Sequence, residues 1–362
     1  MPNPETAALF SPVSLGAIEL RNRIVMAPLT RARADTAGVP SEHAARYYAD
    51  RAAGAGLVIA EATQISFGAQ GYCRTPGAHT TEQMAAWRKV VEAVHARGGK
   101  IVLQIWHCGR ATAHLNRQPG TEAVGPSAVH QGGQMYTDQQ GMQPHDMPRA
   151  LTTSEIGQIV TDFADTAARA VEAGFDGVEI HSANGYLLHQ FLSTNANLRT
   201  DQYGGSITNR MRFPLEIVEA VTARIGAERT GIRISPGHTF NELEEADTFD
   251  LYRRYIPALD GFKLAYLHVM RAFSNELPYD GASLARGLYS GRMIACGGYD
   301  GASGAALLAA GGADAVAFGR AFISNPDLVE RIRTGAALTE PNQATFYTPG
   351  PAGYIDYPSL AA

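Results

Sequence analysis

The chain repeats one short pattern: a helical stretch closed by glycine and followed at once by a brief apolar run. Ala53-Gly54-Ala55-Gly56 leads into Leu57-Val58-Ile59-Ala60, and Arg97-Gly98-Gly99-Lys100 into Ile101-Val102-Leu103-Gln104. Ala173-Gly174 leads through Phe175-Asp176-Gly177 into Val178-Glu179-Ile180, and Gly311-Gly312-Ala313-Asp314 into Ala315-Val316-Ala317-Phe318. Glycine just past a helix end lets the chain turn back through left-handed backbone that other residues resist. Runs that are apolar at nearly every position suit strands covered on both faces. Residues 23–26, 231–234, 264–269 and 293–296 bring the count to about eight strands, mostly separated by helices. A chain of 362 residues has room for two ordinary domains or one large barrel. Eight such units without a visible boundary favour an α/β fold, a closed (β/α)8 TIM barrel, as one domain over residues 1–362.

The helices carry start signals. Thr80-Thr81-Glu82-Gln83 precedes 84–97, Thr153-Ser154-Glu155-Ile156 precedes 157–172, and Asn209-Arg210 opens 211–225. Asn325-Pro326 puts proline at the first helical position. Two regions break the repeat. Residues 10–20, with Leu15-Gly16-Ala17-Ile18 at the centre, read as a β-hairpin at the barrel floor. Residues 107–149, rich in Gly, Pro, Gln and His, form a long insertion after strand three, placed to cover the catalytic face.

Composition closes off several function classes. The net charge of -5 gives no reason to expect nucleic acid or an anionic membrane. Cys73, Cys108 and Cys296 are far apart and no H-E-x-x-H occurs, so no metal site or disulfide framework is expected. The N-terminus lacks the basic and apolar regions of a signal peptide, and no apolar run is long enough to span a membrane. The expected setting is cytoplasmic.

In such barrels the chemistry sits at the C-terminal ends of the strands. Here those ends read Ala27-Pro28-Leu29-Thr30-Arg31, Glu61-Ala62, Gln104-Ile105-Trp106-His107 and His181-Ser182-Ala183-Asn184-Gly185-Tyr186. Arg233 lies within the fifth strand. The seventh ends Cys296-Gly297-Gly298, the eighth Phe318-Gly319-Arg320. Glycines let backbone N–H groups approach an anion and arginine adds a fork of donors, which points to a phosphate; turn glycines beside a surface arginine are the plainer reading. Thr30, Gln104 and Arg233 would form a polar ring suited to a flat heterocycle. An arginine inside an apolar strand needs an acceptor or anionic partner. His181, Asn184 and Tyr186 end a buried strand with three polar groups, either a capped strand end or a site.

These residues resemble the old yellow enzyme family of FMN-dependent ene-reductases, in its threonine-type branch near the N-ethylmaleimide and pentaerythritol tetranitrate reductases. The resemblance covers essentially the whole chain. It rests on residues 22–31, on Gln104 to Arg110, on His181 to Leu192, on Asp201-Gln202-Tyr203-Gly204-Gly205-Ser206 with Asn209-Arg210, on Phe318-Gly319-Arg320 and on Gly353 to Pro358. It implies that Ala27, Pro28, Thr30, Ala62 and Gln104 contact the isoalloxazine, that Arg233 faces its N1/O2 edge, and that Gly298, Gly319 and Arg320 hold the phosphate. It implies that His181 and Asn184 bind the oxygen of the substrate and that Tyr186 donates the proton, with Tyr72, Trp106 and Tyr347 lining the substrate side. The implied reaction is a ping-pong reduction of electron-poor alkenes by NAD(P)H, with phenolic ligands as inhibitors, in a monomer or homodimer. Segment 270–287 matches no family motif and is expected to shape one wall of the pocket. Two other readings remain: a Schiff-base lyase using Lys263, and a non-catalytic flavin-binding protein.

Overall fold

The computed structural model describes residues 4–272 and 280–360, so residues 273–279 of the unmatched segment lie outside the described residues. Eight parallel strands close into a barrel. They are β1 (Ile24–Met26), β2 (Leu57–Gln64), β3 (Ile101–Trp106) and β4 (Gly177–Ser182), then β5 (Thr230–Ile234), β6 (Tyr266–Met270), β7 (Met293–Cys296) and β8 (Ala315–Phe318). Every strand residue except Met270 is buried, as strands covered by helices outside and side chains inside must be. β8 pairs with β1, Phe318 opposite Met26, and this closes the ring.

The expected hairpin is Val13–Leu15 paired with Ile18–Leu20. Its apolar side chains pack with Val25, Leu57, Ile59, Val102, Ile294 and Ala315 inside the barrel, so it seals the floor. A Cβ on Gly16 would stand 2.3 Å from the Glu228 carbonyl oxygen, so the hairpin turn needs glycine to seat.

Three local expectations are corrected. The second strand does not stop at Glu61-Ala62 but runs to Gln64, through a register shift between Ala60 and Thr63. The bulge turns Glu61 outward, where Oε1 accepts from the Tyr48 hydroxyl at 3.1 Å and Oε2 from the Arg31 N–H at 3.1 Å. The third helix begins at Thr153, before the expected 157, under a Thr152/Glu155 capping box that puts Glu155 in the first turn as its start signal implied. Pro326 is not the first helical residue: Asp327 caps Leu328–Thr334, leaving the proline just outside.

The insertion after β3 has structure of its own. Gln134–Thr137 and Gly141–Pro144 form an antiparallel hairpin, and Val124–Gly125 pairs with Arg149–Ala150. Residues 343–354 pack back on their own barrel. Arg33 donates to the carbonyls of Thr345, Phe346, Gly350 and Ala352, and Arg31 to those of Phe346 and Gly353. The Tyr354 ring stacks on Tyr47, centroids 4.0 Å apart. Among the described residues no helix is long and apolar enough to cross a membrane.

Candidate active site

A cavity of about 1460 Å³ opens over the C-terminal ends of the strands. Its wall brings together Ala27, Pro28, Thr30, Tyr72, Asn184, Tyr186, Arg233, Gly298, Gly319, Arg320 and Tyr347 from seven separated parts of the sequence. The insertion hairpin covers it, contributing Gln134, Met135, Tyr136 and Met142. Met270, the first residue of the unmatched segment, and Tyr299 belong to the same wall. Ala62, Gln104, Trp106 and His181 are not in the wall itself and stand behind it, each nearly inaccessible.

The loop after β4 is shaped for display. Asn184 takes left-handed backbone, φ 52°, a conformation that costs a non-glycine residue and persists only where neighbours enforce it. Its N–H donates to Ser235 Oγ at 2.8 Å and its carbonyl accepts from Asn241 Nδ2 at 3.0 Å. Gly185 follows at φ 80°, where a Cβ would stand 2.4 Å from the Phe240 carbonyl oxygen. Its N–H donates to His189 Nδ1 at 3.0 Å, while His189 Nε2 sits 2.7 Å from Glu245. Asn184 Oδ1 is buried without a partner.

Three rings crowd Tyr186. Trp106 meets it edge-on at 4.6 Å and His181 at 4.9 Å, while the Tyr72 hydroxyl lies 3.3 Å from its own. Burial pushes the Tyr186 phenol well above its ordinary pKa, with Tyr72 and Cys108 adding to the effect. Burial likewise raises Tyr72, to about 12. The phenol of Tyr186 is therefore a protonated, weakly acidic donor at neutral pH. Burial lowers the His181 pKa well below 6.5, and the Arg233 charge lowers it further. His181 Nδ1 accepts from the Ala183 N–H at 3.3 Å, so the neutral ring carries its proton on Nε2 and can donate from there.

The opposite side of the cavity fits an anion and a ring. Gly297 and Gly298 both have positive φ, 109° and 75°, and Gly298 has open space where a Cβ would project. Gly319 packs close to Leu29, and exposed Arg320 follows it on the wall. Among the described residues, buried Arg233 has only sulfur within hydrogen-bond reach, Met270 Sδ at 3.5 Å and Cys296 Sγ at 3.7 Å from Nη2, and its Nε has no partner. A guanidinium left so incompletely satisfied at the base of a cavity suits a flavin mononucleotide, whose ring edge supplies acceptors and whose phosphate suits the glycine joints.

Lys263 does none of this. It precedes β6 at the N-terminal end of the barrel, is largely exposed and pairs with Asp260 at 3.3 Å. The lyase reading therefore has no lysine in the cavity. Two residues were not anticipated. Asn241 joins Asn184 to Gln131 and lowers the phenol pKa of both Tyr72 and Tyr186 as a hydrogen-bond partner, against the larger effect of burial. Glu179, inside β4, holds Gln104.

The closed barrel, the glycine joints after β7 and β8 and the incompletely satisfied Arg233 suit a flavin-dependent oxidoreductase. Residues 8–339 match the model of the NADH:flavin oxidoreductase / NADH oxidase family, and the chain belongs to that family, the old yellow enzyme family. It is 45% identical over 362 residues to 12-oxophytodienoate reductase 1 of Oryza sativa subsp. japonica, covering 97% of this chain and 93% of that one. It is 44% identical to the "Probable flavin mononucleotide-dependent alkene reductase" of Leishmania infantum, covering 97% of each. The solved structure of morphinone reductase in complex with tetrahydroNAD superposes with a TM-score of 0.93 at 47% identity, covering 99% of this chain and 98% of that one. The protein is an FMN-dependent oxidoreductase of the alkene-reductase kind that takes hydride from a reduced nicotinamide.

Proposed function

We propose that the protein reduces the activated C=C bond of α,β-unsaturated carbonyl or nitro compounds, the nicotinamide and the alkene using one cavity in turn. The observation that carries this reading is the grouping at the end of β4: a protonated phenol and a carboxamide in the cavity wall, with a neutral imidazole, its proton on Nε2, packed edge-on against the phenol ring. When bound, FMN supplies a carrier that accepts hydride from the nicotinamide and yields it to the β-carbon of the alkene. Ala27, Pro28, Thr30 and Ala62 border its ring, with Gln104 and Arg233 at the polar edge. Gly298, Gly319 and Arg320 hold its phosphate.

His181 and Asn184 hold the carbonyl or nitro oxygen of the substrate. Negative charge grows on that oxygen as the bond is reduced, so donors placed there stabilise the transition state more than the ground state. Tyr186 gives its proton to the α-carbon. Tyr72, Trp106 and Tyr347 shape the substrate side, and Tyr72 receives a hydrogen bond from the Tyr186 hydroxyl.

The test is to mix enzyme, reduced anaerobically with one equivalent of NADH or NADPH, with cyclohexenone and follow flavin absorbance near ~450 nm. Reoxidation at a rate that accounts for turnover, with parallel lines in a steady-state double-reciprocal plot, supports the reading. Reduced enzyme that is reoxidised by oxygen but not by any enone, maleimide or nitroalkene rejects it.

A further inference from the structure

A cluster of buried charge lies inside the barrel and takes no part in the scheme above. Glu179 has no exposed surface and is flanked in register by Gln104 on β3 and Gly231 on β5. Its Oε1 accepts from Gln104 Nε2 at 2.7 Å, and its Oε2 lies 2.8 Å from Nδ1 of fully buried His268 on β6. A Cβ on Gly231 would stand 2.2 Å from Tyr266 Cζ, so only glycine admits that ring to the barrel interior.

A carboxyl this deep ordinarily protonates. Burial does raise its pKa, but His268, Arg233 and Gln104 together outweigh it and hold Glu179 below the usual carboxylate value. His268 is raised in turn, Glu179 and a hydrogen bond with Cys296 together overcoming burial and the Arg233 charge. Glu179 is therefore an anion at neutral pH, and it shifts His268 toward its protonated form. An ionised carboxylate only accepts, so Gln104 must give Glu179 its NH2 and keep its carbonyl oxygen for something else. Arg233, meanwhile, is left with sulfur contacts and an unpartnered Nε.

We propose that Glu179 is a positioning residue for the cofactor: it locks the Gln104 carboxamide so that position 104 offers an acceptor while Arg233 offers donors. This rests on the reading that Gln104 and Arg233 face the isoalloxazine. The pyrimidine edge of that ring alternates carbonyl oxygens with one N–H. A fixed acceptor beside a fixed donor recognises that edge in one orientation; a carboxamide free to flip presents either group.

FMN affinity of the holoenzyme, read from flavin fluorescence on dilution, tests this in a double-mutant cycle. Gln104→Ala should weaken FMN by about ten-fold, the worth of one hydrogen bond. Glu179→Gln should weaken it by a similar factor, because the new carboxamide can donate and so permits the flip. In the Gln104→Ala background Glu179→Gln should add nothing. A loss on Gln104→Ala with Glu179→Gln silent, or equal losses in both backgrounds, overturns the proposal alone. A silent Gln104→Ala overturns the ring-facing reading and the proposal with it.

If Glu179→Gln does not fold, His268→Asn asks the same question. Glu179 then faces Gln104 from β3, Arg233 from β5 and Tyr266 from β6, without His268. It protonates as pH falls, and FMN affinity should drop below neutral pH while the wild type stays level. Level profiles in both overturn the proposal.

Discussion

The rings of Tyr186 and His181 meet edge-on, centroids 4.9 Å apart with 80° between their planes. Under the proposed function this contact would fix the proton donor beside a neutral hydrogen-bond donor on one turn of chain, so that the oxygen is held while the α-carbon is protonated. Tyr186→Phe keeps the ring contacts and removes only the hydroxyl. Turnover with cyclohexenone should fall by about 10²–10⁴-fold, while reduction of the flavin by the nicotinamide stays within about two-fold of wild type. Stopped-flow measurement of each half-reaction checks this, and equal losses in both would assign the hydroxyl to something other than protonation.

His181→Ala with Asn184→Ala should weaken a phenolic ligand by about 2 kcal/mol, since a phenolate oxygen resembles the substrate oxygen late in reaction and would lose its donors. The His181 pKa is depressed by burial first and Arg233 second, so the ring stays neutral and phenol binding should show no break from it between pH 6 and 8. Absorbance titration of the bound phenol reads both the affinity and its pH profile.

The barrel was legible because each glycine joint sits immediately beside its strand, so neighbours in sequence carried the signal. The strand-end residues were legible for the same reason: in a parallel barrel the end of every strand faces one side. What the sequence concealed depends on contacts across the barrel. Glu179 meets His268 across 89 positions, and inside an apolar run it reads as an interruption. Asn241 earns its place only because Gly185 lets the loop after β5 approach. The hairpin in the insertion was missed because Gln134–Thr137 alternates exposed and buried residues over only four positions, too short to show a period.

His107 sets an acid limit on stability. Burial lowers its pKa to about 3, and its Nδ1 accepts from the Gly109 N–H at 3.0 Å. An unfolded histidine titrates near ~6.5. Between those values the unfolded chain binds a proton that the native chain refuses. Native stability should therefore fall as pH drops below ~6.5, by about 1.4 kcal/mol per pH unit for this residue, and be level above it. Urea midpoints from pH 4.5 to 7.5 measure the slope, and His107→Gln should reduce it by that amount, leaving the share of the other histidines whose pKa burial lowers, His181 among them.

Arg33 holds the C-terminal segment over the cavity. Its guanidinium is lowered to about 10 by burial and by Arg31 beside it, and stays charged at neutral pH. Four carbonyls between Thr345 and Ala352 accept from it. Arg33→Ala should leave the barrel folded and free residues 343–354, carrying Tyr347 away from the wall. The KM for enones should rise several-fold, and amide exchange in that segment should speed up while the barrel strands remain protected. Unchanged exchange would show that Arg31 and the Tyr47–Tyr354 stack suffice.

Gly185 is where the loop after β4 meets the loop after β5. Alanine there has to adopt φ 80° and bring a Cβ to 2.4 Å from the Phe240 carbonyl oxygen and 2.5 Å from Asn241 Cβ. The backbone strain costs about 1–2 kcal/mol, and the clash is with backbone that cannot swing aside. The turn relaxes by moving, and Asn184 and Tyr186 flank it. Gly185→Ala should therefore lower stability by about 1–3 kcal/mol and depress the oxidative half-reaction more than flavin reduction. A variant with normal enone turnover and normal Tm would mean that the two loops slide past each other without moving the phenol.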